Sequence, residues 1–222
     1  MAFYSYKVFF IRRKTMKKTF AIVALLVMVV SVVSAGSVYF DSGVSFSNGN
    51  RGWEADGKKY EKFKLSVVSL PLEIGYREAF DNGVIVSGSA GVFFNLSEKM
   101  NGNALDEKWF PTHFSLKAQA GYGMEINEKL AAEFLGGFSY AFGTRKPNEK
   151  YKESFSTITL TAEAGVKYEI ADSITLRAGA KIGIPFKTTI KAKVDGASDS
   201  AKNKLYGFMF NITPFVGAAY QF

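Results

Sequence analysis

The feature that most constrains this chain is an alternation of apolar with small or polar residues that recurs in eight separate runs. In the last run, 205–222, every second residue from Tyr206 to Phe222 is apolar, while the other positions include two glycines, Asn211 and Gln221. Successive side chains of a β-strand point to opposite faces, so this period of two predicts strands. The eight runs are 38–46, 63–76, 84–96, 114–126, 130–142, 157–170, 174–186 and 205–222.

The connections between these runs alternate strictly between short and long. Short turns lie at 78–83, 127–129 and 171–173, after the second, fourth and sixth runs. All tight turns therefore fall at one end of an antiparallel up-and-down meander, which we predict to close as an eight-stranded all-β barrel. The long connections are rich in Gly, Asn, Lys and Asp, and we predict them to be surface loops at 47–62, 97–112, 143–154 and 187–204.

The side of the strands that faces inward separates two classes of barrel. A soluble barrel has its apolar face inside, and a membrane barrel has it outside, against lipid. Here the polar face carries small residues and balanced charges that suit a narrow lumen, so we predict a transmembrane barrel; a secreted ligand carrier is the alternative. The predicted lumen charge network consists of Glu73, Glu125, Glu133, Glu163 and Glu169 with Arg77, Lys117, Lys167, Arg177 and Lys181.

Aromatic residues lie towards both ends of the apolar face, as in the interfacial girdles of membrane barrels. The predicted girdle residues are Tyr76, Tyr122, Tyr168 and Tyr220 near the tight turns, and Phe94, Phe114, Tyr140 and Phe186 near the long connections. One run contains an irregularity. Phe63, Leu65 and Val67 have the opposite parity to the apolar set that starts at Val68, which predicts a β-bulge near Val67.

Strand register predicts one specific contact inside the barrel. If Ile170 faces Ile174 across the turn at 171–173, Glu163 is the cross-strand partner of Lys181. A charge left without a partner in a lumen of low dielectric constant would be costly. We therefore predict an ion pair between Glu163 and Lys181.

Residues 16–35 have the organisation of a secretory signal peptide. Lys17 and Lys18 precede an apolar segment, 20–33, and the small residues at 33–35 provide a cleavage site. An uncleaved membrane anchor is the alternative, but the apolar segment is shorter than the roughly 20 residues of a spanning helix. We predict cleavage after Ala35.

This division assigns the chain to three parts. Met16 is the predicted true start, residues 1–15 an upstream extension, and 36–222 the exported barrel domain. The formal net charge is +8, but residues 1–36 hold six of the 28 basic side chains and no acid, which leaves 22 basic against 20 acidic. The basic excess therefore belongs mostly to the removed segment, and we expect no nucleic-acid partner.

The export signal, the eight alternating strands and the terminal Tyr220-Gln221-Phe222 resemble the small outer-membrane β-barrel proteins of bacteria. The resemblance covers residues 36–222 and implies a location in the outer membrane, with outer-membrane lipids as partners. The aromatic Tyr220 and Phe222 resemble the C-terminal assembly signal of that family. This likeness implies that the barrel-assembly machinery reads the last strand.

Three functions are compatible with such a barrel. The first is a lipid-embedded scaffold with a closed polar lumen, which presents its four loops for surface interactions. The second is a narrow channel for small solutes, because Lys117 and Lys181 lie on a glycine-rich lumen face. The third is a lipid A-modifying hydrolase, because the His-x-Ser pattern at His113 and Ser115 resembles the lipid A deacylases. That resemblance implies Ser115 as nucleophile and His113 as general base. No acid stands near that pair except Asp106 or Glu107, so we predict no enzyme.

The composition removes further classes of site. The chain has no cysteine, so a disulfide framework and thiolate metal ligands are impossible. His113 is the single histidine, and we found no cluster with metal-ligand spacing. We accordingly predict no cofactor and no metal.

Overall fold

The structure is a computed structural model that describes residues 36–55, 57–106, 108–148, 151–194 and 200–222. The predicted extension and signal peptide, 1–35, lie outside the described residues and stay predictions. Within the described ranges, no helix has the length and apolarity needed to cross a membrane. The strands are β1 (Gly36–Gly43), β2 (Ser45–Ala55), β3 (Lys58–Ala79), β4 (Val84–Met100), β5 (Asn103–Ala104), β6 (His113–Asn127), β7 (Leu130–Asn148), β8 (Tyr151–Ala171), β9 (Ile174–Val194), β10 (Ser200–Tyr206) and β11 (Met209–Gln221).

These strands form one closed antiparallel ring with eight barrel strands. β1 and β2 make up the first barrel strand, since only Val44 separates them and both pair with β3. β10 and β11 make up the last, which is interrupted at Gly207, where φ is 98°, a conformation that suits glycine. The first barrel strand pairs with the last over its whole length, so the ring closes. The predicted eight-stranded up-and-down arrangement is confirmed.

A band of exposed apolar side chains, here called the apolar band, surrounds the part of the barrel nearer the tight turns. Val216 is 67% exposed, Ile74 58% and Phe138 57%. Such a surface is unfavourable in water and suits the acyl chains of a bilayer. Seven predicted girdle aromatics are exposed at its edges, while Tyr76 is half-buried; the seven are Tyr122, Tyr168, Tyr220, Phe94, Phe114, Tyr140 and Phe186.

The four predicted long loops are mostly strands, so that part of the prediction was wrong. β2 and β3 run through almost all of 47–62, and β7 with β8 occupies most of 143–154. β9 and β10 likewise extend into 187–204, and among the described residues only 97–112 keeps a long irregular part. Outside the membrane, an antiparallel strand can pack one face in the interior and expose the other face to water. The many Gly, Asn and Lys residues of these segments therefore do not end the strands.

Beyond the apolar band, the apolar side chains turn inward. In β3 the odd-numbered residues from Phe63 to Arg77 all face the interior, and each is buried except the half-buried Gly75. Phe63, Leu65 and Val67 thus face the same side as the inward residues that follow them in β3, and no extra residue in β3 is needed to explain their position. A register shift does occur between Val68 and Ser69, near the predicted bulge, but β4 contributes the extra residue, Leu96.

The inward apolar residues form a second core inside the protruding end of the barrel, which we call the outer core. Aromatic rings pack against each other across it, with 5.1 Å between the centroids of the tilted Trp53 and Trp109 rings and 5.0 Å between those of the edge-to-face Phe110 and Phe155 rings. This end has the interior of a soluble barrel. Its members are Phe63, Leu65, Val67, Phe155, Ile190, Leu205 and Met209, with Trp53, Met100, Trp109 and Phe110 packed against them.

Candidate functional site in the barrel interior

Eight charged side chains fill the interior at the level of the apolar band, and we call them the charge layer. Four are acids and four are bases, so the set is neutral. Each of these side chains is at most 15% exposed. The members are Asp41, Glu73, Glu133 and Glu163 with Arg77, Lys117, Arg177 and Lys181.

Arg177 and Lys181 of β9 hold one side of the charge layer together. The Arg177 guanidinium donates to both Asp41 oxygens, at 2.7 and 2.8 Å, and to Glu163 at 2.8 Å. Asp41 and Glu73 are directly opposite each other on β1 and β3, where like charges repel. The Lys181 ammonium donates to both carboxylates, at 2.9 and 3.1 Å, and so offsets that repulsion.

Arg77 and Lys117 complete the charge layer from the other side of the lumen. Arg77 of β3 donates to Glu133 and, at 2.9 Å, to Glu163. The Lys117 ammonium of β6 lies 2.7 Å from Glu73 and 3.4 Å from Glu163. Each acid of the layer thus contacts at least two bases, which compensates for the loss of hydration of these buried charges.

The structure distributes the ten predicted network residues between two levels. Seven belong to the charge layer, and Lys167, 36% exposed, reaches to 3.7 Å from Glu133. Glu125 and Glu169 instead line the wider mouth at the tight-turn end, a cavity of about 920 Å³. Among the described residues, neither of these two glutamates forms an ion pair.

The predicted ion pair between Glu163 and Lys181 does not form. The two residues are cross-strand partners, as predicted, because a bulge near Glu169 absorbs the different pairing at the turn, where Ala171 and not Ile170 faces Ile174. Each charge is inside the lumen, but Arg177 takes the Glu163 carboxylate while the long Lys181 side chain crosses to β1 and β3.

Sequence reasoning missed two central residues, Asp41 and Tyr39. Asp41 is 1% exposed and accepts hydrogen bonds from two bases of the charge layer. Tyr39, also 1% exposed, donates to Glu73 at 3.2 Å, and the Arg177 guanidinium lies 4.5 Å from its ring centroid. Both residues lie at inward-facing positions of the first run, so the alternation of the sequence alone could have identified them as lumen residues.

A chamber of about 170 Å³, lined by both polar and apolar side chains, separates the charge layer from the outer core. Lys117 and Lys181 border it on one side, and Phe110 and Phe155 on the other. Hydroxyl-bearing side chains are numerous in the wall between them, so the chamber can hold several water molecules. The hydroxyl-bearing residues are Ser42, Ser45, Ser47, Ser69, Ser115, Ser139, Thr157, Thr159, Thr161, Thr188 and Thr213.

His113 and Ser115 both line this chamber and therefore face away from the lipid. The His113 Nδ1 atom is 3.0 Å from the Pro111 carbonyl oxygen, and its ring stacks on Phe93 with 5.0 Å between centroids. The predicted acid partner Asp106 is exposed, and Glu107 lies outside the described residues. In the described chain, no group of three or more acidic or histidine side chains could hold a metal ion.

The irregular residues 105–106 and 108–112, here called the 105–112 segment, lie at the barrel end opposite the tight turns. Its residues Trp109 and Phe110 enter the outer core. Glu98, 2% exposed, accepts hydrogen bonds from the Phe110 backbone N–H at 3.2 Å and from Asn95 Nδ2 at 2.9 Å. Lys108 donates to the Asn95 carbonyl oxygen at 2.6 Å. These contacts hold the segment as a lid over the chamber.

Glu98 lies beyond the apolar band, and its burial raises the pKa of its carboxyl above the usual range, against hydrogen bonds that lower it. The folded protein thus binds this proton more readily than the unfolded chain does. The contribution of Glu98 to stability is therefore complete below the unfolded pKa and is lost as the pH rises through the folded one.

We expect Glu98→Gln to be more stable than the unmodified protein at pH 7, and the difference to shrink towards pH 4. Glutamine keeps an oxygen that can accept from Phe110 but carries no buried charge. Urea titration of both proteins in lipid vesicles across this range measures the difference. A constant difference across the range would contradict the prediction.

Comparisons with known proteins agree with this architecture. The family model described as outer membrane protein beta-barrel domain matches residues 20–213, which is most of the chain. The chain therefore belongs to this family of outer-membrane β-barrel proteins and is located in the bacterial outer membrane. No match was found among the curated proteins.

Solved structures share the fold at low sequence identity. The outer membrane protein AlkL, solved by solid-state NMR in DMPC lipid bilayers, is 16% identical with a TM-score of 0.52; the match covers 85% of this chain and 90% of AlkL. Neisserial surface protein A is 13% identical with a TM-score of 0.50, over 83% of this chain and 97% of that one.

Proposed function

We propose that this outer-membrane barrel is a closed scaffold, which presents the hairpins and the 105–112 segment of its protruding end for surface interactions. The observation that carries the proposal is the filled interior. The neutral charge layer occupies the lumen within the membrane, and the outer core with Trp109 and Phe110 occupies it outside. A solute would have to displace both layers.

The alternative is a narrow channel, and one feature favours it. The chamber and the wide mouth at the tight-turn end are both cavities of the barrel interior, with the charge layer between them. Conduction would require Lys117, Lys181 and their acidic partners to separate. Each of these groups contacts two opposite charges, so this separation is costly.

Recording in planar bilayers tests the scaffold proposal. We expect the purified full-length protein, inserted into the bilayer, to give no steady conductance steps at either polarity. Insertion is verified in parallel by the gel shift between boiled and unboiled samples. Reproducible steps of one amplitude, with cation or anion preference, would overturn the closed scaffold in favour of the channel.

We do not propose an enzyme. Catalysis on lipid A would require His113 and Ser115 to meet the acyl linkages of a lipid, and both side chains face the interior chamber. The His113 ring is held between Phe93 and Phe155, with centroid distances of 5.0 and 5.5 Å. This surrounding is that of a packed aromatic residue.

We also propose that Tyr220 and Phe222 are read by the barrel-assembly machinery. Phe222 is 59% exposed, with 5.9 Å between the centroids of its ring and that of Tyr220, so it adds little to the folded interior. We expect Phe222→Ala to reduce the heat-modifiable protein in outer membranes severalfold. The free energy of unfolding of the refolded variant should change by less than about 1 kcal/mol.

Phe208→Ala is the matched control, because Phe208 is 61% exposed on the same barrel strand. We expect this variant to reach the outer membrane at the normal level. Equal losses for both variants would indicate a general need for exposed aromatics and would contradict the assembly signal.

A further inference from the structure

A compact group of lysines and hydroxyl side chains lies on the outer wall just beyond the apolar band, and we call it the lysine patch. Its lysines come from β9 and β10 and are all exposed, while its hydroxyl residues from β8 and β9 are half-buried. The members are Lys187, Lys191, Lys204, Thr189, Ser154 and Ser156.

Strand register brings these residues together. Thr189 pairs with Lys204 on one side and with Ser156 on the other, and Lys191 pairs with Ser154. Lys187 and Lys191 are each two positions from Thr189, so both are diagonal neighbours of Lys204, at roughly 7–8 Å between Cα atoms. Three ammonium groups and three hydroxyls thus surround one point of the outer wall.

All six side chains point outward. The neighbouring residues Thr188, Ile190 and Leu205 are buried inside the barrel, so Lys187, Thr189, Lys191 and Lys204 must face the surroundings. Among the described residues, the only acid facing the patch is Glu54 of the adjacent strand β2, 3.3 Å from Lys204. The patch therefore keeps a net positive charge.

The height of the patch fits the headgroup layer of the outer leaflet. Lys187 directly follows Phe186, which is 59% exposed at the edge of the apolar band. Lys191 is four residues further, roughly 13 Å along a tilted strand, and a lysine side chain can bend back towards an interface. The polar headgroup layer on each side of a bilayer is about 5–8 Å thick. Lysine side chains of the patch can therefore reach this layer.

The opposite end of the barrel has the opposite charge. The described tight turns expose Asp81, Glu128 and Asp172, and only one lysine, Lys129. Exposed basic side chains are therefore concentrated at the protruding end, and an apolar band alone does not explain them.

We propose that the lysine patch binds the phosphate groups of anionic glycolipids in the outer leaflet. Ammonium and hydroxyl donors match the several acceptor oxygens of a phosphate, and charge-assisted hydrogen bonds to it are the strong ones. The patch is continuous with the lipid-facing surface, so the acyl chains of the same lipid can lie against Phe186 and its neighbours. This binding does not depend on whether the lumen conducts.

The test is a titration of the purified full-length protein in nonionic micelles with bisphosphorylated lipid A, followed by native mass spectrometry. The variant K187Q/K191Q/K204Q should bind about 100-fold more weakly, since each lysine near an anionic lipid surface contributes a factor of roughly five. Lipid A without phosphate should bind weakly to both proteins. The arginine variant K187R/K191R/K204R should keep most of the affinity.

The matched control is K58Q/K99Q/K146Q, which removes the same charge from exposed lysines dispersed over other strands. It should weaken binding less than about 3-fold, because none of these lysines is a register neighbour of Lys187, Lys191 or Lys204. Equal weakening by both triple variants, or none, would overturn the proposal. So would a patch variant that loses binding to heparin, a soluble sulfated polysaccharide, and retains binding to lipid A. The unboiled gel shift verifies that each variant is folded.

Discussion

Replacing Arg177 with alanine is expected to cost about 3–5 kcal/mol of the free energy of unfolding, because it leaves buried carboxylates without their main partner. Asp41, 1% exposed, would lose two charge-assisted hydrogen bonds, and Glu163 would lose one. Water cannot replace these bonds easily at the level of the apolar band. The Tyr39 ring would also lose the guanidinium that lies 4.5 Å from its centroid.

Arg145→Ala is the matched control for this experiment. Arg145 pairs with Glu153 at 2.5 Å beyond the apolar band, where both side chains are about one-fifth exposed. We expect a loss of about 1 kcal/mol or less. Urea titration of both variants in lipid vesicles gives the comparison, and similar losses for both would mean that the charge layer is no more important than a partly exposed pair.

Two adjacent glycines of β7 provide the second experiment. Gly137 faces the lumen, and a Cβ atom there would collide with the Ala118 carbonyl oxygen and lie 2.7 Å from the Gln119 Cα atom. These are backbone atoms of β6 and cannot move without disrupting the pairing. We expect Gly137→Leu to cost about 3 kcal/mol or more, or to prevent barrel closure altogether.

Gly136→Leu should behave differently, although it makes the same change one residue away. Gly136 is exposed on the apolar band, and the nearest atom to an added Cβ is the Thr161 carbonyl oxygen at 3.9 Å. A leucine there faces lipid, so the free energy of unfolding should change by less than about 1 kcal/mol. The gel shift of unboiled samples and urea titration measure both variants, and a larger loss at Gly136 would contradict the assigned faces.

The wall of the barrel within the membrane could be predicted from sequence because its physical constraint is local. Alternation decides which face each residue occupies, and tight turns decide which strands are neighbours. These two facts predicted that Glu163 lies opposite Lys181 across β8 and β9, although a bulge near Glu169 changes the residues that face each other at the turn itself. Closure of the ring follows as well, since strand edges within lipid must be paired.

Contacts across the lumen could not be predicted in the same way. Lys181 bonds to Asp41 and Glu73, which belong to β1 and β3, and Arg77 bonds to Glu133 and Glu163, which belong to β7 and β8. These partners are separated by 56 to 140 residues. Whether two such side chains come into contact across the lumen depends on the barrel diameter and on the lengths of the side chains. The alternation of apolar and polar residues gives information on neither.

The protruding end was misread for a related reason. Phe155 and Ile190 are buried, and their neighbours are polar, so the alternation continues beyond the membrane with the opposite face apolar. The sequence prediction assumed that the same face of each strand is apolar along its whole length. The point where the apolar residues change from the outer to the inner face was therefore taken as the end of the strand. The interior Glu98 and the lid formed by 105–112 were missed with it.

The row formed by Asp41, Gly217 and Arg177 has a mechanical consequence. These residues are in register across β1, β11 and β9, and the carboxylate meets the guanidinium over a glycine that has no side chain. The ion pair between Asp41 and Arg177 therefore bridges the C-terminal strand on the inside of the barrel and stabilises the junction between the first and last strands. Lateral separation of these two strands in the bilayer would require this ion pair to break, and the lipid could not solvate the two separated charges.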